Sequence, residues 1–363
     1  MTRDDNAIRS ATGFSQRKVW ARYRPGMTAL QPPDGATVHD DVEGWTIDGK
    51  SDDPQILSDA TQLLDRELPD PRFVGDDYLR WAYRENPLGR AWERHQHVEV
   101  DGSVRLAAHY ANMPRRFRGP VGERSDGAWS LNAVVHSDHQ RARHFTRIGL
   151  EIYEEATAEG RSFVVGVTNE QSTGAVVKYM GWRLAGPLPV RIVQPLGRGR
   201  TRMTHREIDA NWLDGEEFTE FAATVDRHVV DGWSTDYNAD VLRWRLACPE
   251  TRYFVHQADD LAMITTTSNL GPIPACVVLK LFPLTTGTAP IDATRAIRSA
   301  MRFHRAAFAV YAGFNGRVTL RGGRPPRRLQ PSPLNLIIRH LDPTVDQDAI
   351  TLDTFEFLDM DAY

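Results

Sequence analysis

Lysine is nearly absent from this sequence. It occurs only at Lys18, Lys50, Lys178 and Lys280, within a basic total of 44 residues. Arginine supplies the rest, a preference expected from a GC-rich genome rather than from phosphate binding. The formal net charge of −4 provides no single-sign field to draw the chain onto nucleic acid or a membrane. Cysteine is scarce too. Cys248 and Cys276, the only 2, stand in apolar surroundings, which excludes a disulfide framework and suits buried thiols in a reducing compartment. No apolar run approaches the roughly 18 residues of a spanning helix. The opening run Met1–Gly13 has no apolar stretch of the signal-peptide kind, so a cytoplasmic protein is expected. The phosphate loops Gly-x-x-x-x-Gly-Lys-Ser/Thr and Gly-x-Gly-x-x-Gly are missing, as is the serine-hydrolase elbow Gly-x-Ser-x-Gly. His136, His139 and His144 cluster, but no second group of ligand-type residues accompanies them, so no metal site is expected.

What is present is an ordinary globular composition over 363 residues, 41% hydrophobic and 25% charged, long enough for two domains. Residues 1–42 are aperiodic and read as an extended arm. Beyond them, Trp45–Ile47 reads as a strand. Ile56, Ala60, Leu63 and Leu64 fall at helical spacing over 54–68, and a second helix over 77–85 ends before Pro87. Strands follow at 95–100 and 104–112, joined by an Asp101-Gly102 turn, and at 128–135. The pattern predicts a helix over 141–158, a buried strand over 162–168, a short helix over 172–180 closed by Gly181, and a strand over 188–193. The basic, glycine-containing stretch 197–206 reads as a linker.

The second half repeats the first. Asp77-Tyr78-Leu79-Arg80-Trp81 returns as Asp240-Val241-Leu242-Arg243-Trp244, each followed by a proline, Pro87 and Pro249, and then by strands. Strands are expected at 252–257, 261–267 and 275–282, and a long helix over 292–311 stopped by Gly313. The predicted fold is α/β, with mixed central sheets flanked by helices. Residues 43–196 and 207–363 form its two domains. Trp81 and Trp244 read as core anchors of the repeat.

Chemistry concentrates in 128–182, a strand, loop, helix, strand and short helix. A strand that runs straight into a helix start presents unpaired backbone N–H groups and a positive dipole end, a ready anion site. The loop is Gln140-Arg141-Ala142-Arg143-His144-Phe145; downstream stand Asn169, the helix 172–180 and Gly181-Trp182. This ordered set resembles the GNAT acyltransferase superfamily, whose Gln/Arg-x-x-Gly-x-Gly/Ala loop holds the pyrophosphate of coenzyme A. The resemblance implies two tandem GNAT-like domains over about 43–360, with a thioester donor on the first. It places the donor against Ala133, Val134, Val135, Gln140, Arg141, Ala142, Arg143, His144, Phe145, Asn169 and Ser172. Arg143 and Phe145 stand where the family has glycine, or glycine and alanine. Val177 stands where the family has a tyrosine that protonates the leaving thiolate; Tyr179 is about 200° away around the helix. The second half runs from its third strand into Pro283–Pro290 and has no such loop. The Trp244-Arg245 to Pro249 run most resembles sugar-nucleotide N-acyltransferases.

Transfer of an acyl group from a thioester to an amine needs a base, a donor for the carbonyl oxygen and a way out for the thiolate. His109 and His136 are the candidate bases. The implied donor is acetyl-CoA or another acyl-CoA, or an acyl carrier protein thioester. The implied acceptor is a small-molecule amine such as an amino sugar, attacked directly, with no metal, nucleic acid or membrane involved. A GNAT-like pair that binds without turnover, and a FemAB-like aminoacyl transferase, are the alternatives.

Overall fold

The computed structural model describes residues 37–38, 44–48, 54–68, 75–140, 143–197, 201–226, 231–249, 251–285, 287, 289–325, 333–342 and 350–360. The arm 1–42 therefore lies outside the described residues except at 37–38. The chain forms β1 (Thr37–Val38), β2 (Trp45–Asp48), α1 (Pro54–Glu67), α2 (Asp76–Arg84), β3 (Trp92–Val100), β4 (Ser103–Arg118) and β5 (Arg124–Val135). Next come α3 (His144–Ala158), β6 (Phe163–Thr168), α4 (Glu170–Met180), β7 (Arg183–Pro187) and β8 (Val190–Val193). The second series is β9 (Thr204–Ile208), α5 (Ala210–Leu213), α6 (Glu216–Val225), β10 (Ser234–Thr235), α7 (Ala239–Leu246), β11 (Tyr253–Gln257), β12 (Leu261–Leu270) and β13 (Ile273–Pro283). It closes with β14 (Ile291–Asp292), α8 (Thr294–Phe303), β15 (Phe308–Asn315), β16 (Val318–Thr319), β17 (Asn335–His340) and β18 (Thr354–Glu356).

Two mixed sheets result. The first has the order β1-β2-β3-β4-β5-β6-β17-β7, and β10 pairs with β4. The second has the order β18-β15-β13-β12-β11-β9, and β8 pairs with β15. In each, an antiparallel meander leads into a strand that pairs parallel with the strand beyond a helix: β5 with β6, and β13 with β15. The β3–β4 turn is tight because Asp101 (φ 51°) and Gly102 (φ 75°) both take left-handed backbone, the signature of a type I′ hairpin.

Sheet membership does not follow chain order. β17, from the C-terminal half, lies antiparallel to β6 in the first sheet, while β8, from the N-terminal half, lies antiparallel to β15 in the second. The two halves thus exchange a strand. β9 begins inside the stretch read as a linker and pairs with β11. The expected helix over 292–311 is shorter. α8 ends at Phe303, Arg305 turns the chain at φ 52°, and Phe308–Asn315 is strand β15, held by pairing with β13 that local periodicity does not register.

The repeat shows in the packing of α2 on α7. Trp81 and Trp244 stack at 4.6 Å between centroids, 13° from parallel. Each indole N–H donates to the other's backbone carbonyl, Trp81 Nε1 to Trp244 O at 2.9 Å and Trp244 Nε1 to Trp81 O at 3.1 Å. This reciprocal contact is centred on the 163-residue offset. Around it one buried cluster joins the units, with Leu64, Tyr83 and Phe163 from the first and Phe218, Tyr253 and Phe282 from the second. Separate clusters lie beneath α3 and α8.

Candidate active site

β5 and β6 pair only at Ala128–Val164, Trp129–Val165 and Ser130–Gly166, then part. The cause is a bulge. Against β4, Leu131 faces Ala111 and Val134 faces His109, so Asn132 and Ala133 together oppose Tyr110 alone. Asn132 takes left-handed backbone (φ 51°), which asparagine tolerates better than most residues. Its side-chain amide donates to Tyr83 Oη at 2.7 Å, and that hydroxyl is 3.0 Å from His109 Nε2. The side of the sheet that carries α2 thus braces the bulge.

The opening is a cleft of about 540 Å³. Ser130, Leu131, Asn132, Ala133 and Val135 form one wall, and Val167, Thr168 and Asn169 form the other. Tyr110, Phe145, Val176, Trp182 and Ile337 close the side that carries α3 and α4. Phe145 stands edge-on to Tyr110, 5.4 Å between centroids. Arg143, exposed and left-handed at φ 58°, precedes α3 without capping it through its side chain. Asn169 caps α4 through Oδ1, which accepts from Ser172 N at 2.9 Å and from Ser172 Oγ at 2.9 Å.

Of the residues expected to hold a donor, Ala133, Val135, Gln140, Phe145, Asn169 and Ser172 line this one cleft. Val134 points instead into the core shared by the two units, and His144 is buried, with its ring held well below the usual histidine range, at about 4, by burial and by neighbouring His139. Arg143 is outside the lining, and Arg141 and Ala142 lie outside the described residues. Neither His109 nor His136 lines the cleft. His109 is fully buried behind Asn132 and Tyr83, beside His95 at 4.7 Å between ring centroids. Burial and then His95 push it down to about 3, so it is neutral at physiological pH. His136 follows β5 and uses Nδ1 to accept from Asp138 N at 3.2 Å. Val177 and Tyr179 are exposed, and Val176 is the residue of α4 that reaches the cleft together with Gln171 and Ser172.

Several lining residues were missed by sequence reasoning. Ser130 carries no local signal, because its role depends on where two strands part. Ile337 arrives on the exchanged strand β17. In the second unit the equivalent parting of β13 from β15 is filled. Lys280, just past the bulge at Ile264/Thr265, bonds Asp359 at 2.6 Å and Glu356 at 3.1 Å. Tyr311 of β15 donates to Glu356 at 2.9 Å, and Asn315 Nδ2 donates to Leu281 O at 3.0 Å.

No family model and no curated protein matches the sequence. Solved structures do match the fold. A probable N-acyltransferase from Enterococcus faecalis aligns with a TM-score of 0.54 at 9% identity over 82% of this chain and 72% of its own. A GCN5-related N-acetyltransferase from Anabaena variabilis gives 0.53 at 11% identity over 82% and 73%. Saccharomyces cerevisiae N-myristoyltransferase with bound myristoyl-CoA gives 0.51 at 10% identity over 86% and 85%. Two bulged mixed sheets, each with a parting central strand, and these alignments along most of both chains give one result: the chain has the fold of the GNAT superfamily, as two tandem domains.

Proposed function

We propose that the protein is an N-acyltransferase that moves an acyl group from acyl-CoA, or from an acyl carrier protein thioester, to the amine of a small molecule. The observation that carries this reading is the cleft between β5 and β6, a slot of about 540 Å³ with unpaired strand backbone on its walls and a helix start at one end. Such a slot suits an extended arm that bonds to strand edges and ends in phosphate. One structural neighbour is described with myristoyl-CoA bound, which supports acyl-CoA as the donor class. In this reading Arg143, exposed at the α3 start, pairs with the phosphate end. The acceptor amine enters from the face of the first sheet that carries α1 and α2, where the second unit packs; an amino sugar is the acceptor class we favour. Attack is direct, since Cys248 and Cys276 are both buried and burial pushes the Cys276 thiol up to about 12. The donor domain is assigned to 43–196 and its partner to 207–363, in a cytoplasmic protein.

Calorimetry with acetyl-CoA, longer acyl-CoAs and an acylated carrier protein tests the reading. Saturable binding by at least one is expected, abolished by Ala133→Trp in a variant that keeps its circular dichroism. Binding by none of them overturns it. The packing of Phe145 onto Tyr110 inside the slot favours one second reading, a pair that binds a thioester without turnover. Binding with no transfer to any of a broad amine panel would select it.

A further inference from the structure

Behind the cleft runs a chain of hydrogen bonds whose direction is fixed at one end. Trp182 Nε1 donates to Tyr153 Oη at 2.9 Å, and an indole N–H has no acceptor capacity. Tyr153 Oη is 2.9 Å from Tyr110 Oη, and Tyr110 Oη is 2.7 Å from Ser130 Oγ. Either oxygen of the last two pairs can be the donor; the arrangement in which Tyr153 donates to Tyr110 and Tyr110 to Ser130 continues the direction set by Trp182 and gives each phenolic proton an acceptor. Burial drives both phenols above their ordinary range, Tyr110 to about 12, so both keep their protons. In that arrangement the Ser130 hydroxyl proton is not used within the chain of hydrogen bonds, and Ser130 lines the cleft at the point where β5 and β6 part. Gly166 faces it there, and a Cβ on Gly166 would sit 3.1 Å from Ser130 Cβ. The space at this hydroxyl is kept by the absence of a side chain.

We infer that Ser130 Oγ is the hydrogen-bond donor to the sulfur of the thioester, oriented by Tyr110, Tyr153 and Trp182. The inference rests on the acyl-transfer reading. With the phosphate end at the start of α3 and the arm running back along Val135 to Leu131, the thioester reaches the apex where Ser130 stands. The unpaired backbone of the Asn132–Ala133 bulge serves the carbonyl oxygen, which leaves the side-chain hydroxyl for sulfur. The amine nitrogen bonds to the carbonyl carbon, the C–S bond breaks with its electron pair on sulfur, and the nitrogen loses a proton to water. The thiolate leaves held by the Ser130 hydrogen bond. The residue thereby supplies a donor from β5 rather than from α4, where Val177 is exposed.

The test uses free CoA and needs no acceptor. The thiol of CoA bound to the full chain is titrated by thiolate absorbance, in the native protein, in Ser130→Ala and in Tyr110→Phe. A hydrogen bond to the charged form lowers a pKa, and one of this kind corresponds to about one pH unit. The bound thiol is expected to titrate about one unit lower on the native protein than on Ser130→Ala, with Tyr110→Phe between them. Affinity at pH 6, where the thiol is protonated, is expected to agree within about 3-fold. Equal titration on native and Ser130→Ala proteins that both bind CoA overturns the inference and leaves the acyl-transfer reading standing. Failure of native protein to bind CoA overturns both. Circular dichroism and melting of each variant confirm that the comparison is between folded proteins.

Discussion

Glu356 shows how a single carboxylate is used where a cleft is filled. It is fully buried, and burial raises its pKa to about 7; Lys280 opposes that rise and Asp359 adds to it. The native state therefore holds this proton more tightly than the unfolded chain does. Its contribution is complete below about pH 4.5 and is lost as pH rises through about 7, on the order of 3 kcal/mol. Glu356→Gln removes the titration. Urea midpoints of the two proteins between pH 4.5 and 8 are expected to converge or cross as the native protein loses this term, whereas parallel curves would contradict the assignment. Tyr83 is a second sensitive position, since its hydroxyl lies between Asn132 and His109. Tyr83→Phe is expected to cost about 1–3 kcal/mol in chemical denaturation, because it strips a partner from two groups at a buried site. Histidine identity was a poor guide to this site. The sequence draws the eye to His109 for its strand position, yet the hydroxyls and amides around it decide which side chain meets the cleft.

At the scale of elements, the most informative contact is that of α2 with α7. Trp81 is buried, Trp244 is half-buried, and each indole donates to the other's backbone. Trp81→Ala and Trp244→Ala are each expected to cost about 3–5 kcal/mol. The double variant should lose clearly less than the sum, because either change already breaks the shared stack. Strict additivity in thermal or urea unfolding would show that the rings act independently. The five-residue repeat made this pair legible before any coordinates. What stayed hidden were features set by distant partners. The end of α8 at Phe303 depends on β15 pairing with β13 rather than on a local stop such as Gly313. The bulge at Asn132 depends on β4, and Ile337 depends on a strand from the other half.

At the scale of the molecule, the exchanged strands β8 and β17 tie each sheet to the opposite half of the chain. Residues 43–196 alone would leave β6 without β17, and residues 207–363 alone would leave β15 without β8. Neither fragment is expected to unfold cooperatively when expressed separately. Chain cut between Gly197 and Met203 is expected to elute as one complex in gel filtration, with one unfolding transition. Two stable, separable fragments would refute this. The reciprocal tryptophans and the exchanged strands have the self-complementary form of a twofold dimer interface. Two identical subunits built this way would carry two equivalent slots. A single polypeptide is free of that symmetry, and here one slot is open while the other is stitched shut by Lys280, Glu356 and Asp359. One site per chain is the expected result of a calorimetric titration with thioester, set by the loss of equivalence between two related halves.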